Sequence, residues 1–332
     1  MKLDFDPRKN ITTLDYFIMQ PDKVNRKIKD LLVVRSVVKN WYDILLFRIG
    51  LKKAGFVMQL RNGKKININN QEDYFSFWES DEGQEILFRQ QGFYNSVKII
   101  QKSKIIKFKF GNKTVKFHYD SQKQLANTMG MIKEQFIAQQ YKWLDVKHMV
   151  VIDIGANIGD SAIYFALKGA KHVYALEPYP YSYKLAMRNI KLNGLQDKIT
   201  LLNEGCSKKK GKIMISTGYE NLGGTDLKKF ENGNNISITT LGELIKRFKI
   251  TDEAILKIDC EGCEYEVLLG AKNSYIKKFK QIQIEYHYGY LNLKRKLEDA
   301  GFNVNHRMPR YMKNIDAENN EMFLGLIFAT KL

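Results

Sequence analysis

The sequence predicts a doubly wound, Rossmann-like α/β sheet that follows a smaller mixed α+β domain. Its most informative stretch is Val150–Ser161, which is typical of a buried strand that runs through a turn with two glycines into a helix. Downstream, apolar strand-like runs alternate with helical runs, as in parallel sheets covered by helices. Acidic residues follow several of these strands, and ligands of open α/β sheets bind at that edge.

The front part of the chain carries helix and hairpin signals in place of this alternation. Apolar residues at helical spacing predict helices, and β-branched runs around Asn-Gly or Gly-Asn predict hairpins. In chain order these are the helix Asp30–Leu51, the hairpins Gly55–Ile68 and Ile105–Tyr119, and the helix Leu125–Leu144. We therefore predict one domain over residues 1–145 and a second, which holds the sheet, over residues 146–332.

The second domain is predicted to contain five parallel strands and a closing antiparallel pair. After the first strand, the strands are His172–Leu176, Lys198–Asn203, Ala254–Ile258 and Gln281–Tyr286, and the pair is Phe302–His306 with Met322–Ala329. The helices are Ser161–Lys168, Tyr181–Asn193, Leu241–Phe248, Tyr265–Lys277 and Leu291–Ala300. A polar insertion rich in Gly and Asn, Thr217–Asn235, is predicted to be a lid or a substrate loop.

The chain is strongly basic, with a net charge of +18 over 332 residues. Residues 1–150 hold 27 Lys and Arg against 15 Asp and Glu, whereas residues 151–332 hold 27 against 21. This excess ahead of the glycine turn indicates an acidic partner, such as a phosphate-bearing lipid of an acidic membrane, a glycan or nucleic acid. A lysine-rich solvated surface explains the charge equally well.

Cysteine content and hydropathy favour a cytoplasmic protein. The start of the chain does not resemble a signal peptide, and no uncharged run reaches the roughly 20 residues of a membrane helix. Three cysteines suit an intracellular enzyme better than a secreted disulfide scaffold. We predict that Cys260 and Cys263 are small buried side chains, since a structural zinc site would need two more ligands.

The turn predicts the first ligand site. Asp153, Gly155, Asn157 and Gly159 form Asp-x-Gly-x-Asn-x-Gly, which lacks the second and third glycines of a dinucleotide fingerprint. This form is typical of enzymes that bind S-adenosylmethionine (SAM), whose zwitterionic methionine end suits a carboxylate and free backbone amides. The alternative is a plain strand–turn–helix in which the glycines only permit the turn.

The ends of the next two strands predict the rest of this site. Glu177 ends the second strand, where an acidic residue hydrogen-bonds both ribose hydroxyls of a nucleoside and would repel a 2′-phosphate. Glu204, which follows the third strand, lies where the topology would place the adenine.

The ends of the fourth and fifth strands predict the chemical site. Asp259, Glu261 and Glu264 follow the fourth strand, and His287 follows the fifth. Asp259, Glu261 and His287 are the candidates to orient an acceptor hydroxyl or accept its proton, and the carboxylates could alternatively hold a divalent metal. Glu264 is predicted mainly to cap the following helix. His287 could equally be a structural histidine.

These motifs resemble those of FkbM-type SAM-dependent methyltransferases, including archaeal and bacterial members. The resemblance rests on Asp153–Asp160, Leu176–Pro178, Arg188–Ile190, Leu192–Gly194, Lys257–Glu264, Glu285–His287 and Gly301-Phe302, and covers roughly residues 134–330. It implies a class I methyltransferase fold and O-methylation, often of sugar hydroxyls in glycans, glycolipids or natural products. It also implies SAM contacts at Asp153, Gly155, Asn157, Gly159 and Glu177. Related macrocin-type enzymes use magnesium at carboxylates after the same strand, so the resemblance leaves magnesium as an option.

Two other functions remain open at this point. An RNA methyltransferase would use the basic front domain to bind RNA, although enzymes of this fold that methylate amino groups carry Asn/Asp-Pro-Pro-aromatic after the fourth strand. The chain has Asp-Cys-Glu-Gly there. A non-catalytic module that docks on a membrane or RNA is disfavoured by the strand-end carboxylates.

Overall fold

The computed structural model describes residues 5–15, 34–79, 83, 86, 96–215, 234–251, 253–313 and 321–332. The chain divides into two compact units. Unit 1 consists of Met1–Met19 and Met131–Leu332, and unit 2 is Gln20–Gly130. These units divide the chain at positions other than residue 145, and the domains 1–145 and 146–332 stay a prediction.

The described residues of unit 2 form two antiparallel sheets. One is the hairpin of β1 and β2, and the other has the order β3-β4-β5, so both predicted hairpins are confirmed. The elements are α1 (Trp41–Arg48), β1 (Phe56–Gln59), β2 (Lys65–Ile68), α2 (Gln71–Glu79), β3 (Val97–Ile100), β4 (Ile105–Phe110), β5 (Lys113–His118) and α3 (Gln122–Ile132), the last of which runs across the division between the units.

The prediction of one continuous helix over Asp30–Leu51 is wrong. Residues 34–37 are helical, but Val38 then pairs with Leu60, and α1 begins only at Trp41. The side chain of Asn40 accepts a hydrogen bond from the backbone N–H of Gln59 at 2.8 Å and donates one to the backbone of β1. The side chain of Asn40 thus bonds to the backbone of β1, and the pairing of Val38 with Leu60 interrupts the helix. The helical periodicity of the apolar residues does not reveal this β-pairing. Residues 30–33 lie outside the described residues.

Unit 1 is an α/β structure built around one large sheet. Its strands are β6 (Val150–Ile154), β7 (His172–Leu176), β8 (Ile199–Leu202), β9 (Glu204–Cys206), β10 (Gly211–Ile215), β11 (Asn234–Thr239), β12 (Ala254–Ile258), β13 (Phe279–Tyr286), β14 (Phe302–His306), β15 (Arg310–Lys313) and β16 (Glu321–Lys331). Its helices are α4 (Asp160–Leu167), α5 (Pro180–Leu192), α6 (Leu241–Arg247), α7 (Glu264–Leu269), α8 (Asn273–Ile276) and α9 (Leu291–Asp299).

The sheet has the order β14-β16-β13-β12-β6-β7-β8, and β15 also pairs with β16. The strands from β13 to β8 are parallel, whereas β16 is antiparallel to β13 and β14. The predicted doubly wound sheet with its antiparallel closing pair is therefore confirmed. Because β12 and β6 lie in the middle, their carboxyl ends meet at one edge of the sheet, and the turn after β6 lies beside the acidic segment after β12.

Two predicted helices differ from the observed ones, and a third predicted segment is mostly outside the described residues. The helix predicted over Tyr265–Lys277 is two helices, because the chain turns at Gly270, where a Cβ would lie only 2.4 Å from the Cβ of Lys208. The helix predicted over Leu125–Leu144 ends as α3 at Ile132 and continues as a π turn over Lys133–Ile137. Most of the predicted substrate loop, residues 217–233, lies outside the described residues. No helix among the described residues is long and apolar enough to cross a membrane.

Candidate active site

The glycine turn after β6 is held by close backbone packing. Gly155 has φ +84°, and a Cβ there would lie 1.8 Å from the backbone oxygen of Asp259. Gly159 has φ +85° and would bring a Cβ to 3.3 Å from that of Ala186 in α5. Both glycines are thus required by neighbouring chain segments. Their predicted contact with SAM stays a prediction.

The interior of the turn offers groups that suit a polar ligand. Asn157 has φ +45°, and its buried Oδ1 has no hydrogen-bond partner among the described residues. Its backbone N–H donates to Glu177 at 2.7 Å. A buried acceptor without a donor costs free energy until a ligand supplies one. The residues of this turn therefore fit the amino acid end of SAM.

Asp153 is completely buried and paired with a lysine that sequence reasoning missed. The Nζ of Lys257 lies 3.0 Å from Oδ1 of Asp153, and Ser161 donates to the other carboxylate oxygen at 2.6 Å. Lys257 also donates to the backbone oxygen of Gly155 at 2.6 Å. Burial alone would lower the pKa of Lys257, but Asp153 and Asp259 raise it above its ordinary value, so it is charged at neutral pH. The sequence signal that could have identified Lys257 is its position inside the apolar run of β12.

Glu177 directly follows β7, and its carboxylate is hydrogen-bonded to the glycine turn. Its carboxylate accepts hydrogen bonds from the backbone N–H groups of Asn157 at 2.7 Å and Tyr179 at 2.9 Å. Burial raises the pKa of Glu177 to about 7, although these two bonds oppose the shift. Asn203 fixes the same segment, because its side chain donates to the backbone oxygens of Glu177 and Pro178.

Glu204 lies apart from this hydrogen-bonded group. It belongs to the smaller sheet of β9, β10 and β11, and both oxygens of its carboxylate accept from Arg247 at 2.9 Å. Among the described residues, its carboxylate bonds to Arg247 and to none of the other predicted site residues. Its role beside the adenine stays a prediction.

The structure brings Asp259, Glu261 and His287 together. One ligand atom from each lies within 4.8 Å of the others. Glu261 has φ +55°, and this left-handed conformation directs the chain through Gly262, which has φ +111°. The ring of His287 lies between two carboxylates, with Nε2 3.0 Å from Glu261 and Nδ1 3.0 Å from Glu264.

Glu264, predicted mainly to cap the following helix, is the first residue of α7, and its carboxylate bonds to groups outside that helix. It is fully buried, and its carboxylate accepts from the backbone N–H groups of Gly262 at 2.8 Å and His287 at 3.0 Å, in addition to the contact with the ring. It therefore fixes both the turn that carries Glu261 and the orientation of His287. The sequence motif contains Glu264, but only the pairing of β12 with β13 brings it to His287.

The pKa values of the three residues in the cluster are shifted in different ways. Burial alone would lower the pKa of His287, but Glu261 and Glu264 raise it well above its ordinary value, so the ring is an imidazolium at neutral pH. Burial would raise the pKa of Glu261, but His287 lowers it below the usual range. Burial raises the pKa of Asp259, against the opposing effect of Lys257 at 3.9 Å. Asp259 is thus the stronger base of the two carboxylates.

Two further groups surround Asp259. The hydroxyl of Tyr141 donates to Oδ2 of Asp259 at 3.1 Å. Glu285, which accepts from Gln140 at 2.7 Å, has a pKa raised to about 8 by burial and by Asp259. Protonation of Glu285 would remove the repulsion between its carboxylate and that of Asp259. Sequence reasoning named neither Tyr141 nor Glu285 as a site residue.

The prediction that Cys260 and Cys263 are separate small side chains is wrong. They form a disulfide, with Cα atoms 5.5 Å apart, whereas Cys206 is free and buried. The disulfide encloses only Glu261 and Gly262. Residue type alone did not reveal the pair, because a Cys-x-x-Cys spacing also occurs without a disulfide and the turn geometry was not apparent from the sequence.

The donor set does not fit magnesium. Magnesium prefers oxygen ligands in near-ideal octahedral geometry. Here one of the three neighbouring groups is an imidazole, which supplies nitrogen in place of oxygen, and both of its nitrogens already contact carboxylates at 3.0 Å. The ammonium of Lys257 also lies 3.9 Å from Asp259, although its shorter contact, at 3.0 Å, is with Asp153.

Comparison with known proteins adds the following. The family model of the methyltransferase FkbM domain matches residues 153–313. Hexuronic acid methyltransferase AglP of Haloferax volcanii is 27% identical over 140 residues, which are 42% of this chain and 56% of that protein. Ribosomal protein L11 methyltransferase of Carboxydothermus hydrogenoformans is 47% identical over 53 residues, or 16% of this chain and 17% of that protein. The chain thus spans less than two thirds of the length of each of these relatives.

Among solved structures, TYW2 of M. jannaschii in complex with AdoMet is 16% identical, with coverage of 70% of this chain and 89% of that one and a TM-score of 0.37. The family match rests on sequence instead. It spans Asp153 and the glycine turn, Glu177, the acidic segment after β12, and His287. Residues 153–313, just under half of this chain, are therefore similar to the FkbM domain of methyltransferases.

Proposed function

We propose that this chain is a SAM-dependent O-methyltransferase whose acceptor is a hydroxyl group of a sugar, in particular of a hexuronic acid. The observation that carries the proposal is the cluster of Asp259, Glu261 and His287, whose ligand atoms lie within 4.8 Å of one another. The cluster follows β12 and β13, beside the glycine turn that follows β6. The FkbM match supports methyl transfer, and the hexuronic acid methyltransferase among the relatives supports the acceptor class.

In this proposal the turn and Glu177 bind SAM. Asn157 contributes its unpartnered Oδ1. Both oxygens of Glu177 accept one backbone N–H each, and each retains a second acceptor site for a ribose hydroxyl. Asp153 and Lys257 stabilise the turn, because Lys257 pairs with Asp153 and donates to the backbone oxygen of Gly155.

When bound, SAM supplies a methyl group that is already activated on a sulfonium. The protein must then align the hydroxyl oxygen with the methyl carbon and accept the hydroxyl proton as the carbon–oxygen bond forms and the carbon–sulfur bond breaks. We assign the proton to Asp259. Its pKa is raised by burial, its Oδ2 is oriented by Tyr141, and Oδ1 accepts no hydrogen bond among the described residues.

His287 suits a different task, since an imidazolium has no free lone pair with which to accept a proton. It keeps Glu261 ionised and oriented at 3.0 Å. Glu261, the more exposed of the two carboxylates, can then accept a hydrogen bond from a second hydroxyl of the sugar. Together Asp259 and Glu261 would recognise a pair of hydroxyls, which is the feature that distinguishes sugars from simple alcohols.

The direct test offers labelled SAM with alkyl glycosides of a hexuronic acid, the matching carboxyl-reduced hexoses, and RNA. We expect label on the uronic acid glycoside that resists mild alkali, because a methyl ether survives saponification and a methyl ester does not. Alkali-labile label would move the reaction from a hydroxyl to the carboxyl group. Transfer to RNA alone would favour the RNA methyltransferase instead.

The residue test uses Asp259→Asn with Asp145→Asn as a matched control, since Asp145 is an exposed carboxylate of the same unit. We expect Asp259→Asn to lower kcat by roughly 10²-fold or more, with unchanged SAM affinity, because proton transfer contributes rate rather than cofactor binding. Asp145→Asn should behave as wild type. EDTA should leave the rate unchanged. Wild-type kcat in Asp259→Asn would exclude it as the proton acceptor.

A further inference from the structure

The three-stranded sheet of unit 2 carries an unusual concentration of one charge. Residues 97–119 include seven lysines and no aspartate or glutamate. The lysines are Lys98, Lys102, Lys104, Lys107, Lys109, Lys113 and Lys116. This segment comprises β3, β4 and β5 with their connections. Its charge is therefore not balanced within the sheet.

Three of these lysines stand in one row across the strands. Lys107 is the register partner of Lys98 in β3 and of Lys116 in β5. Lys109, two residues further along β4, lies on the same face as Lys107 because side chains alternate along a strand. Like charges directly opposite each other destabilise a sheet, so the opposed pair of Lys98 and Lys107 favours the approach of an anion.

The other face of the same sheet is buried. Ile106, Phe108, Val115 and Phe117 are at most 3% exposed. Lys98, Lys107 and Lys109 are exposed. We name the outer face, with Lys98, Lys107, Lys109 and Lys116, the lysine face. Among the described residues it presents no exposed aromatic side chain, since the phenylalanines of β4 and β5 belong to the opposite face.

These features discriminate between anionic partners. Single-stranded nucleic acid is bound by aromatic side chains on which bases stack, in combination with positive charge, and the lysine face lacks exposed aromatics. Bidentate recognition of individual phosphates favours arginine, and the lysine face has none. Lysine ammonium groups act as point charges that suit a surface of uniform negative charge. Clusters of about four to eight basic residues are typical of segments that bind anionic lipid.

We propose that the lysine face docks the chain on an anionic lipid bilayer. The attraction is electrostatic, without insertion of apolar side chains. It therefore depends on ionic strength, since the screening length falls from about 10 Å at 0.1 M salt to about 3 Å at 1 M. This inference does not rest on the proposed methyl transfer, and it concerns unit 2 alone.

The test measures flotation of the full chain with vesicles of phosphatidylcholine alone and vesicles that also contain phosphatidylglycerol. We expect binding only to the anionic vesicles, with release at high salt. The double variant Lys98→Glu/Lys107→Glu should weaken binding by about tenfold or more, given the usual contribution of a lysine near an anionic surface. The variant should not lower the thermal stability, because both side chains are exposed and a glutamate at position 107 would stand opposite Lys116.

The matched control is Lys53→Glu/Lys65→Glu, which changes the net charge equally through two exposed lysines of the same unit. We expect it to retain most of the vesicle binding. Equal loss in both variants would mean that net charge acts without a defined face and would overturn the proposal. Binding to an RNA duplex that depends on Lys98 and Lys107, with no binding to anionic vesicles, would also overturn it.

Discussion

Glu177 is a carboxylate whose ionisation should control cofactor affinity. Burial raises its pKa to about 7, so the group is only partly ionised near neutral pH. The ribose hydroxyls donate to the ionised form, which becomes the majority form as the pH rises through this value. We therefore expect SAM affinity, measured by calorimetry, to increase by about tenfold between pH 6 and pH 8.

The control for this prediction is Glu177→Gln, which keeps the size of the side chain and removes its titration. We expect weaker SAM binding, by about 1.5–3 kcal/mol for the lost charge-assisted bonds, and a flatter dependence on pH. An equally steep pH dependence in Glu177→Gln would assign the titration to another group.

Glu264 should keep His287 protonated. The variant Glu264→Gln removes one of the two negative charges at the ring, so we expect the pKa of His287 to be lower than in the wild type. NMR titration of the labelled imidazole measures this directly. The matched control is Glu266→Gln, whose carboxylate contacts Ser207 and Lys208. An unchanged pKa of His287 in Glu264→Gln would show that Glu261 alone keeps the imidazole ring protonated.

For single residues of the site, the sequence predicted the residue types better than it predicted their bonding partners. Asp259, Glu261 and His287 were predicted as candidates from their places after strands, and the sheet brings them together. Lys257 and the anchoring role of Glu264 were missed. Both depend on which strands become neighbours, and the apolar pattern of β12 does not specify those neighbours.

At the scale of elements, the turn after β6 and the segment after β12 form one packed unit. A Cβ at Gly155 would overlap the backbone oxygen of Asp259. We expect Gly155→Ala to destabilise unit 1 by at least about 2 kcal/mol more than Gly194→Ala and to lower activity by moving Asp259. Urea unfolding and the rate of methyl transfer measure the two effects.

Gly194→Ala is the matched control, because Gly194 also has positive φ, at +65°, but a Cβ there meets nothing within 4 Å. It should cost only the backbone strain, about 1–2 kcal/mol. If both variants lost the same stability, the contact between Gly155 and Asp259 would not be tight in solution.

Element boundaries were the least predictable part of the fold. Alternating apolar runs identified the parallel strands and the closing pair. Two predicted helices were divided by events that periodicity cannot detect, namely the pairing of Val38 with Leu60 and the close approach of Gly270 to Lys208. In each case a tertiary contact overrides a local preference.

At the scale of the whole molecule, the first residues of the chain complete unit 1. Asn10 is buried, and its side chain donates to the backbone oxygen of Tyr288 at 2.9 Å and accepts from the backbone N–H of Asn292 at 2.9 Å. Its backbone oxygen accepts from Tyr290 at 2.8 Å. The periodicity of helices and strands does not predict this contact, because Asn10 lies in a short segment that has no such periodicity.

We expect Asn10→Ala to destabilise unit 1 by about 2–3 kcal/mol, since it leaves a buried N–H and a buried carbonyl without partners. Hydrogen exchange of the β13 and β16 amides in the full chain measures the loss. Asn305→Ala, at an exposed position of β14, should change stability by no more than about 0.5 kcal/mol. Equal protection in both variants would mean that the first residues are dispensable for unit 1.

The contact of Asn10 with Tyr288 also has a consequence for the order of synthesis. The ribosome adds the partner of Asn10 278 residues later, a delay of roughly 15–60 s at about 5–20 residues per second. Unit 2, as one continuous stretch, is complete long before this. The nascent chain must therefore keep its first segment available while the intervening unit folds, and unit 1 closes only after Tyr288 has been synthesised.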